Sequence, residues 1–475
     1  MYGYMSQRIF IGYAFYQVLH SLRIRSGTTE SLFLVVVIVL NVASFGNFGL
    51  LLSDTSNTSV FAQSQPAQKE TLTVVLANEE RWDLLIDGAK QELQRRHPDK
   101  IIEIQNKTLP YEEIRPQMLE ALNNGTSIDL ISIDQIWLGE FAEKGLLTDL
   151  TNFTKTKKGI SSSDFYQANW DGGVYENKVY AIWIWTDVRG TWYWKDLLNK
   201  AAVDPNSLKT WDGYIASAKK LNEVLRPEGI EGAHLVGADH SPDMWYPYLW
   251  MLGGDILNLK SGHPSRDVYW FPAFNSSEGV KALNFIKNLT DIADIRPQKN
   301  HTWGAEFVDR KFAVMIEGSW MPGEFDIKDL KSLEQKVGFI PMFPVPDQNT
   351  NTTTMMGGWE LAIPKTSNNK DLAWEFLTLL VEPRILVPML EENGYLPTQS
   401  TIGEGPYGDI LDRSIPYYKE MVSMIPLGRQ RPNIPEYSQV ADSIHQAIDD
   451  VYSGAKEPKQ ALDDAAARSA EVLGW

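Results

Sequence analysis

From Thr71 onward, short apolar runs of strand length alternate with segments whose apolar residues recur at helical spacing. That alternation narrows the folds open to the chain more than any other feature. TLTVVLA reads as a first strand, after which Trp82, Leu85, Ile86, Ala89 and Leu93 recur at helical spacing. KIIEIQ reads as a second strand, and residues 111–123 as a helix with Ile114, Met118, Ala121 and Leu122 inward, stopped by Gly125. IDLISID is a third strand, followed by a short helix ending at Gly145. A β-α-β-α-β-α order predicts a mostly parallel sheet covered by helices on both faces. Further on, Thr210 is placed to N-cap a helix whose inner face is Trp211, Tyr214, Ile215, Ala218 and Leu221. Two helices, about 437–452 and 459–473, close the chain.

Such a sheet binds ligands where the chain leaves the carboxyl ends of its strands. Three polar segments fall there: 78–80, 106–110 and 134–137, the last with an aromatic at Trp137. Residues 180–194 read as a strand dense in Trp. In MWYPYLWMLGGDIL, Trp245 and Tyr248 share a helix face, which a core stripe explains as well as a binding surface does.

Composition removes several function classes. The 475 residues carry 44 Lys+Arg against 61 Asp+Glu, a net charge of −17, and so lack the basic excess that nucleic acid requires. The hydrophobic share of 43% is that of a packed globular chain, long enough for two or three domains. There is no Cys, which excludes disulfides, thiolate metal sites, cysteine nucleophiles and a lipoprotein anchor. The seven His form no HExxH motif or other close pair, so no metal and no cofactor is expected. The 16 Trp and 19 Tyr exceed what a core needs, and flat aromatics of this kind line ligand clefts.

The first 62 residues do not read as part of the fold. Arg8, Arg23 and Arg25 precede an apolar run at 32–40 and a softer one at 42–52, and Val60-Phe61-Ala62 fits the small-x-small rule for signal cleavage. An uncleaved membrane anchor competes with a cleaved signal, because the basic lead is long. Either reading places the rest of the chain outside the cell. Eight N-x-S/T sequons, at Asn57, Asn106, Asn124, Asn152, Asn275, Asn288, Asn300 and Asn351, agree with export.

Several blocks then fall in a family's order. They are ALNNGTSIDLISIDQIWLGEFAEKGLLTDLT, KVYAIWIWTDVRGTWYWKDLL with TWDGYIASAKKL, FVDRKFAVMIEGSW, GGWELAIP with NNKDLAWEFL, and RPNIPEYSQV. From Thr71 to its end the chain resembles the family 1 extracellular solute-binding proteins of ABC sugar importers, the maltose- and trehalose/maltose-binding group. The resemblance implies an α/β, two-lobed periplasmic-binding-protein fold of type II, with a ligand cleft between the lobes and three hinge crossings. It places a signal or anchor at 1–62, a polar linker at 63–70, one lobe at 71–184 with 357–396, and the other at 185–356 with 397–475.

The resemblance also carries over a site. Trp185 and Asp187 match the aromatic and the acid after the hinge strand, Asp134 the acid ending strand three, and Glu79 the acid after strand one. Arg115 matches the Arg of the second helix, and Trp320 and Trp359 match the cleft tryptophans. Gly358 would let the backbone approach the ligand, and Trp245 is added from the central aromatic run. Sugar chemistry suits this set, since ring C–H faces pack on flat aromatics while hydroxyls pair with carboxylates and Arg. Trp185 stands where a Tyr is common. Arg189 stands where small residues are usual, which favours either an acidic sugar or a salt bridge at the rim. The implied function is binding without catalysis of a di- or oligosaccharide, trehalose- or maltose-like. The implied partners are the permease subunits of an importer with its cytoplasmic ATPase, and the protein itself is expected to be a monomer.

Two alternatives stay open on the residues alone. The acids Glu79, Asp134, Asp187, Glu317 and Glu360 would supply the carboxylate pair of a secreted glycoside hydrolase. The same acids and Trp faces would also hold a cationic solute such as a polyamine, against which Arg115 speaks.

Overall fold

The first apolar run folds into strand β1 (Gln68–Ala77), whose inner half is buried on both faces in the computed structural model of the chain. A strand covered on both sides needs apolar side chains with little alternation, and Val74, Val75, Leu76 and Ala77 supply them. In α1 (Trp82–Arg96) the buried residues are the ones at helical spacing: Trp82, Leu85, Ile86, Ala89 and Leu93. Strand β2 (Lys100–Leu109) pairs in parallel with β1 and forms the sheet edge. Helix α2 (Tyr111–Asn123) turns Ile114, Met118 and Leu122 inward. Strand β3 (Leu130–Asp134) is buried throughout, pairs with the other side of β1, and passes through a 3-10 turn into α3 (Leu138–Glu143).

The structure describes residues 68–77, 82–157, 159–235, 241–297, 304–325, 327–347 and 349–475. All of them fall in one compact unit. The signal or anchor segment at 1–62, most of the linker, and Glu79 lie outside the described residues. Among the described residues no helix is long and apolar enough to cross a membrane.

Strand β4 (Ala181–Trp194) is 14 residues long and buried at every position but Tyr193. The chain continues through α4 (Trp211–Leu225), capped by the Thr210 hydroxyl accepting from Gly213 N–H, then β5 (Glu231–Ala233), α5 (Ser241–Met251) and α6 (Ser277–Asp291). Next come β6 (Phe312–Gly318), β7 (Val337–Ile340) and β8 (Thr354–Ala362). The longer helices that follow are α7 (Lys370–Leu380), α8 (Pro383–Asn393), α9 (Tyr437–Tyr452) and α10 (Pro458–Val472).

The main sheet runs β2-β1-β3-β8-β4-β6-β5. It is mixed rather than mostly parallel. Its β1–β2, β1–β3 and β5–β6 pairs are parallel, while β8 enters from far along the chain and runs antiparallel between β3 and β4. Up to Val188, β4 pairs with β8; from Arg189 it pairs with β6, and from Thr191 also with β7. One strand therefore serves two sets of neighbours.

Where β8 crosses β4 the backbones approach closely. Gly358 has φ +131°, and a Cβ there would stand 2.3 Å from the Trp185 carbonyl oxygen. Only glycine combines that conformation with that contact. Gly358→Ala is expected to lower stability by about 3 kcal/mol, the upper range for backbone strain, with the steric overlap added. Urea unfolding of the purified variant measures it, and a loss below about 0.5 kcal/mol would contradict the packing described.

Candidate functional site

Successive side chains of a strand point to opposite faces, so Trp185, Asp187 and Arg189 share one face of β4. The register sets Trp359 of β8 opposite Trp185 on one side and opposite Asp134 of β3 on the other. Three strands thus carry a row of Asp134, Trp359 and Trp185, with Asp187 one step along. Gly357 makes room for the acid, since a Cβ there would stand 2.5 Å from Asp187 Oδ2.

Aromatic rings surround the row. Tyr111, the first residue of α2, donates its hydroxyl to Asp134 Oδ2 at 2.9 Å. The Tyr111, Trp137 and Trp359 rings meet at centroid distances of 5.3 to 6.0 Å. Trp185 stacks on Tyr395 at 5.3 Å and 9°, and its other neighbour is Trp82 at 4.6 Å. Such contacts hold the indoles in fixed orientations.

Charges link the row to α5 and to the segment before α9. Arg431 donates to Asp134 Oδ1 at 3.0 Å and to Asp243 Oδ2 at 3.1 Å, and all three side chains are buried. Arg189, only 5% exposed, stands 3.8 Å from Asp187 and 3.9 Å from Asp243, and lies 5.5 Å over the Trp320 ring. It is therefore a buried residue and not a rim salt bridge. Burial pushes the Asp187 carboxyl up to about 6, against the pull of Arg189 and Arg431. Glu317 is pushed up to about 7 by burial, again opposed by Arg189. Burial, reinforced by the charge of Asp134, holds Glu360 well above the usual carboxylate range.

Apart from Glu79, which lies outside the described residues, the residues expected from sequence divide into three groups. Asp134, Trp185, Asp187, Gly358 and Trp359 converge on the β3-β8-β4 row, with half-buried Trp320 reached through Arg189. Trp245 is fully buried within α5, next to Tyr246, and its Nε1 has no hydrogen-bond partner among the described residues. Arg115 is paired with Glu140 of α3 at 2.6 Å, and Glu140 also binds Lys144 at 2.6 Å. Sequence reasoning missed Tyr111, Asp243, Tyr395 and Arg431 as site residues. Tyr111 alone carried a usable signal, as the first helical residue after the polar segment that ends strand two. Among the described residues no group of three or more His, Cys, Asp or Glu is arranged to hold a metal ion.

Two measurements probe this network. Removing one partner of a buried ion pair strands the others, at about 3–5 kcal/mol. Arg431→Met should therefore be destabilised by that order in urea, whereas a loss below about 1 kcal/mol would mean that the contacts carry no energy. The second concerns protons. Burial raises the Asp187 carboxyl to about 6 from an ordinary 3.8, so between these the folded protein holds the proton that the unfolded chain has released. Stability from this group is complete below the lower value and lost as pH rises through the upper one. Melting temperatures at about pH 5 and about pH 8 should fall with rising pH, and Asp187→Asn should flatten the fall.

Residues 78–385 match the sequence model of the bacterial extracellular solute-binding proteins. A Brucella abortus protein named only as a binding protein is 24% identical over 378 residues, covering 77% of this chain and 84% of its own. Among solved structures, a Thermotoga lettingae ABC transporter solute-binding protein bound with α-D-tagatose superposes with a TM-score of 0.71. It has 23% identity and covers 85% of this chain and 100% of its own. The GacH receptor of Streptomyces glaucescens, solved unliganded and with acarbose, gives 0.71 at 22% identity, covering 86% of this chain and 98% of its own. These are two-lobed binding proteins, and the fold here is theirs. The protein is a solute-binding protein and not an enzyme, and the chain belongs to the bacterial extracellular solute-binding proteins.

Proposed function

We propose that the chain is the extracellular binding component of an ABC importer and takes a neutral di- or oligosaccharide of the trehalose or maltose kind. The observation that carries this reading is the row of Asp134, Trp359, Trp185 and Asp187, which sets carboxylates beside flat indoles. Carboxylates accept from sugar hydroxyls, and indole faces pack on ring C–H groups. Tagatose in one structural neighbour and acarbose in another support a carbohydrate. Two buried arginines among the acids, Arg189 and Arg431, weigh against a polyamine.

In this reading the ligand sits between a lobe of 71–184 with 357–396 and a lobe of 185–356 with 397–475. Asp134 and Trp359 belong to the first lobe, and Asp187, Asp243 and Trp320 to the second. A ligand that touches both binds the closed form better than the open one and shifts the population toward closure. A permease then recognises the closed monomer, which the N-terminal segment exports and tethers at the membrane.

Calorimetry with maltose, trehalose, acarbose and tagatose tests the ligand class. At least one should bind, and Trp359→Ala should weaken it by about 1–3 kcal/mol, or roughly ten- to a hundredfold. Solution scattering should give a smaller radius of gyration with that sugar than without it. Saturable binding of a polyamine with no response to any of the four sugars would reverse the assignment.

A further inference from the structure

Arg189 is the least satisfied cation of the described site. Its backbone is fixed twice by one side chain: Arg189 N–H donates to Thr354 Oγ1 at 2.8 Å, and the Thr354 hydroxyl lies 2.8 Å from Arg189 O. The guanidinium leaves this rigid strand on the face that carries Trp185 and Asp187. Yet its carboxylate neighbours stand off at 3.8 and 3.9 Å, beyond hydrogen-bonding distance. Among the described residues its Nη1 reaches the Met244 sulfur at 3.8 Å, and its Nε has no hydrogen-bond partner. Asp187 Oδ1 is likewise without a partner. A buried donor and a buried acceptor, side by side and unsatisfied, suit a solute that both accepts and donates hydrogen bonds.

The acids around these atoms outnumber the arginines. Asp134, Asp187, Asp243 and Glu317 face Arg189 and Arg431, and Arg431 is already committed to Asp134 and Asp243 by hydrogen bonds. Arg189, by contrast, stands beside Asp187 and Asp243 without a direct hydrogen bond to either carboxylate, and its charge also acts on Glu317. An anionic sugar would meet Asp187 and Asp243, both within 4 Å of the guanidinium it sought. A cationic solute would meet the guanidinium itself in a buried site where water screens little.

We propose that Arg189 sets the charge selectivity of the cleft, admitting neutral polyhydroxyl solutes and refusing cationic ones that the surrounding acids would otherwise attract. The inference rests on the carbohydrate reading for the identity of the neutral ligand, but its test does not.

The parent, Arg189→Met, Arg189→Gln and Arg189→Lys proteins are compared by thermal shift and calorimetry against maltose, tagatose, glucosamine, glucuronate and spermidine, with ligand-free buffer as the control. The parent should respond to a neutral sugar and to neither amine nor glucuronate. In the Met and Gln variants the affinity ratio of amine to neutral sugar should rise at least tenfold, while the Lys variant keeps the parent ratio. The Gln variant decides the matter if the Met variant does not fold. An unchanged ratio in the neutral variants, or a parent that binds amine as tightly as sugar, overturns the inference. A parent that binds no neutral sugar removes the carbohydrate reading alone. Amine binding gained only by the Met and Gln variants would then still support the role of Arg189, and its absence would overturn it.

Discussion

A strand buried along nearly all of its 14 residues can leave no backbone N–H or C=O without a partner, and β4 is such a strand. It meets the demand by exchanging neighbours at Val188 and Arg189, with β8 before that point and β6 and β7 after it. Trp185, Asp187 and Arg189 straddle the exchange on one face. Main-chain hydrogen bonding therefore fixes the spacing of the site before any side chain is considered. The same requirement explains why Gly357 and Gly358 stand where β8 meets β4, one accommodating a carboxylate and the other a carbonyl.

The electrostatics follow from that placement. Burying several carboxylates on neighbouring strands and helices is costly unless they are paired or protonated. Arg431 pairs two of them, Asp134 and Asp243, with direct hydrogen bonds. Asp187, Glu317 and Glu360 instead have their protonation shifted upward by burial. Two solutions to one problem sit side by side, and the difference is which residues the fold brings within hydrogen-bonding reach of a guanidinium.

Local patterns were readable in the sequence where local physics decides them. The buried face of α1, the span of α2, the Thr210 cap and the two closing helices all follow from periodicity and capping. The Asp134, Trp185 and Trp359 row was visible as residues but not as a row, because strand register depends on neighbours far along the chain. The pairing of Arg115 with Glu140 was hidden for a similar reason, since a charge near a cleft is as easily held by an adjoining helix. Arg431 opens the RPNIPEYSQV segment, yet nothing local distinguishes it from a surface arginine. The antiparallel entry of β8 likewise follows from long-range topology, which the repeated strand–helix units of the first half do not announce.

Arg431 lies 297 residues beyond Asp134, the acid it binds. Contacts of such separation form late, because the chain between them must first be ordered. A chain still emerging from its export channel would carry β3, β4 and β8 with Asp134 bound to Tyr111 but not to Arg431, and with Asp243 unclasped. It would not yet own a finished cleft. Assembly order thus acts as a safeguard: the protein acquires its grip only after nearly all of it has arrived on the far side of the membrane.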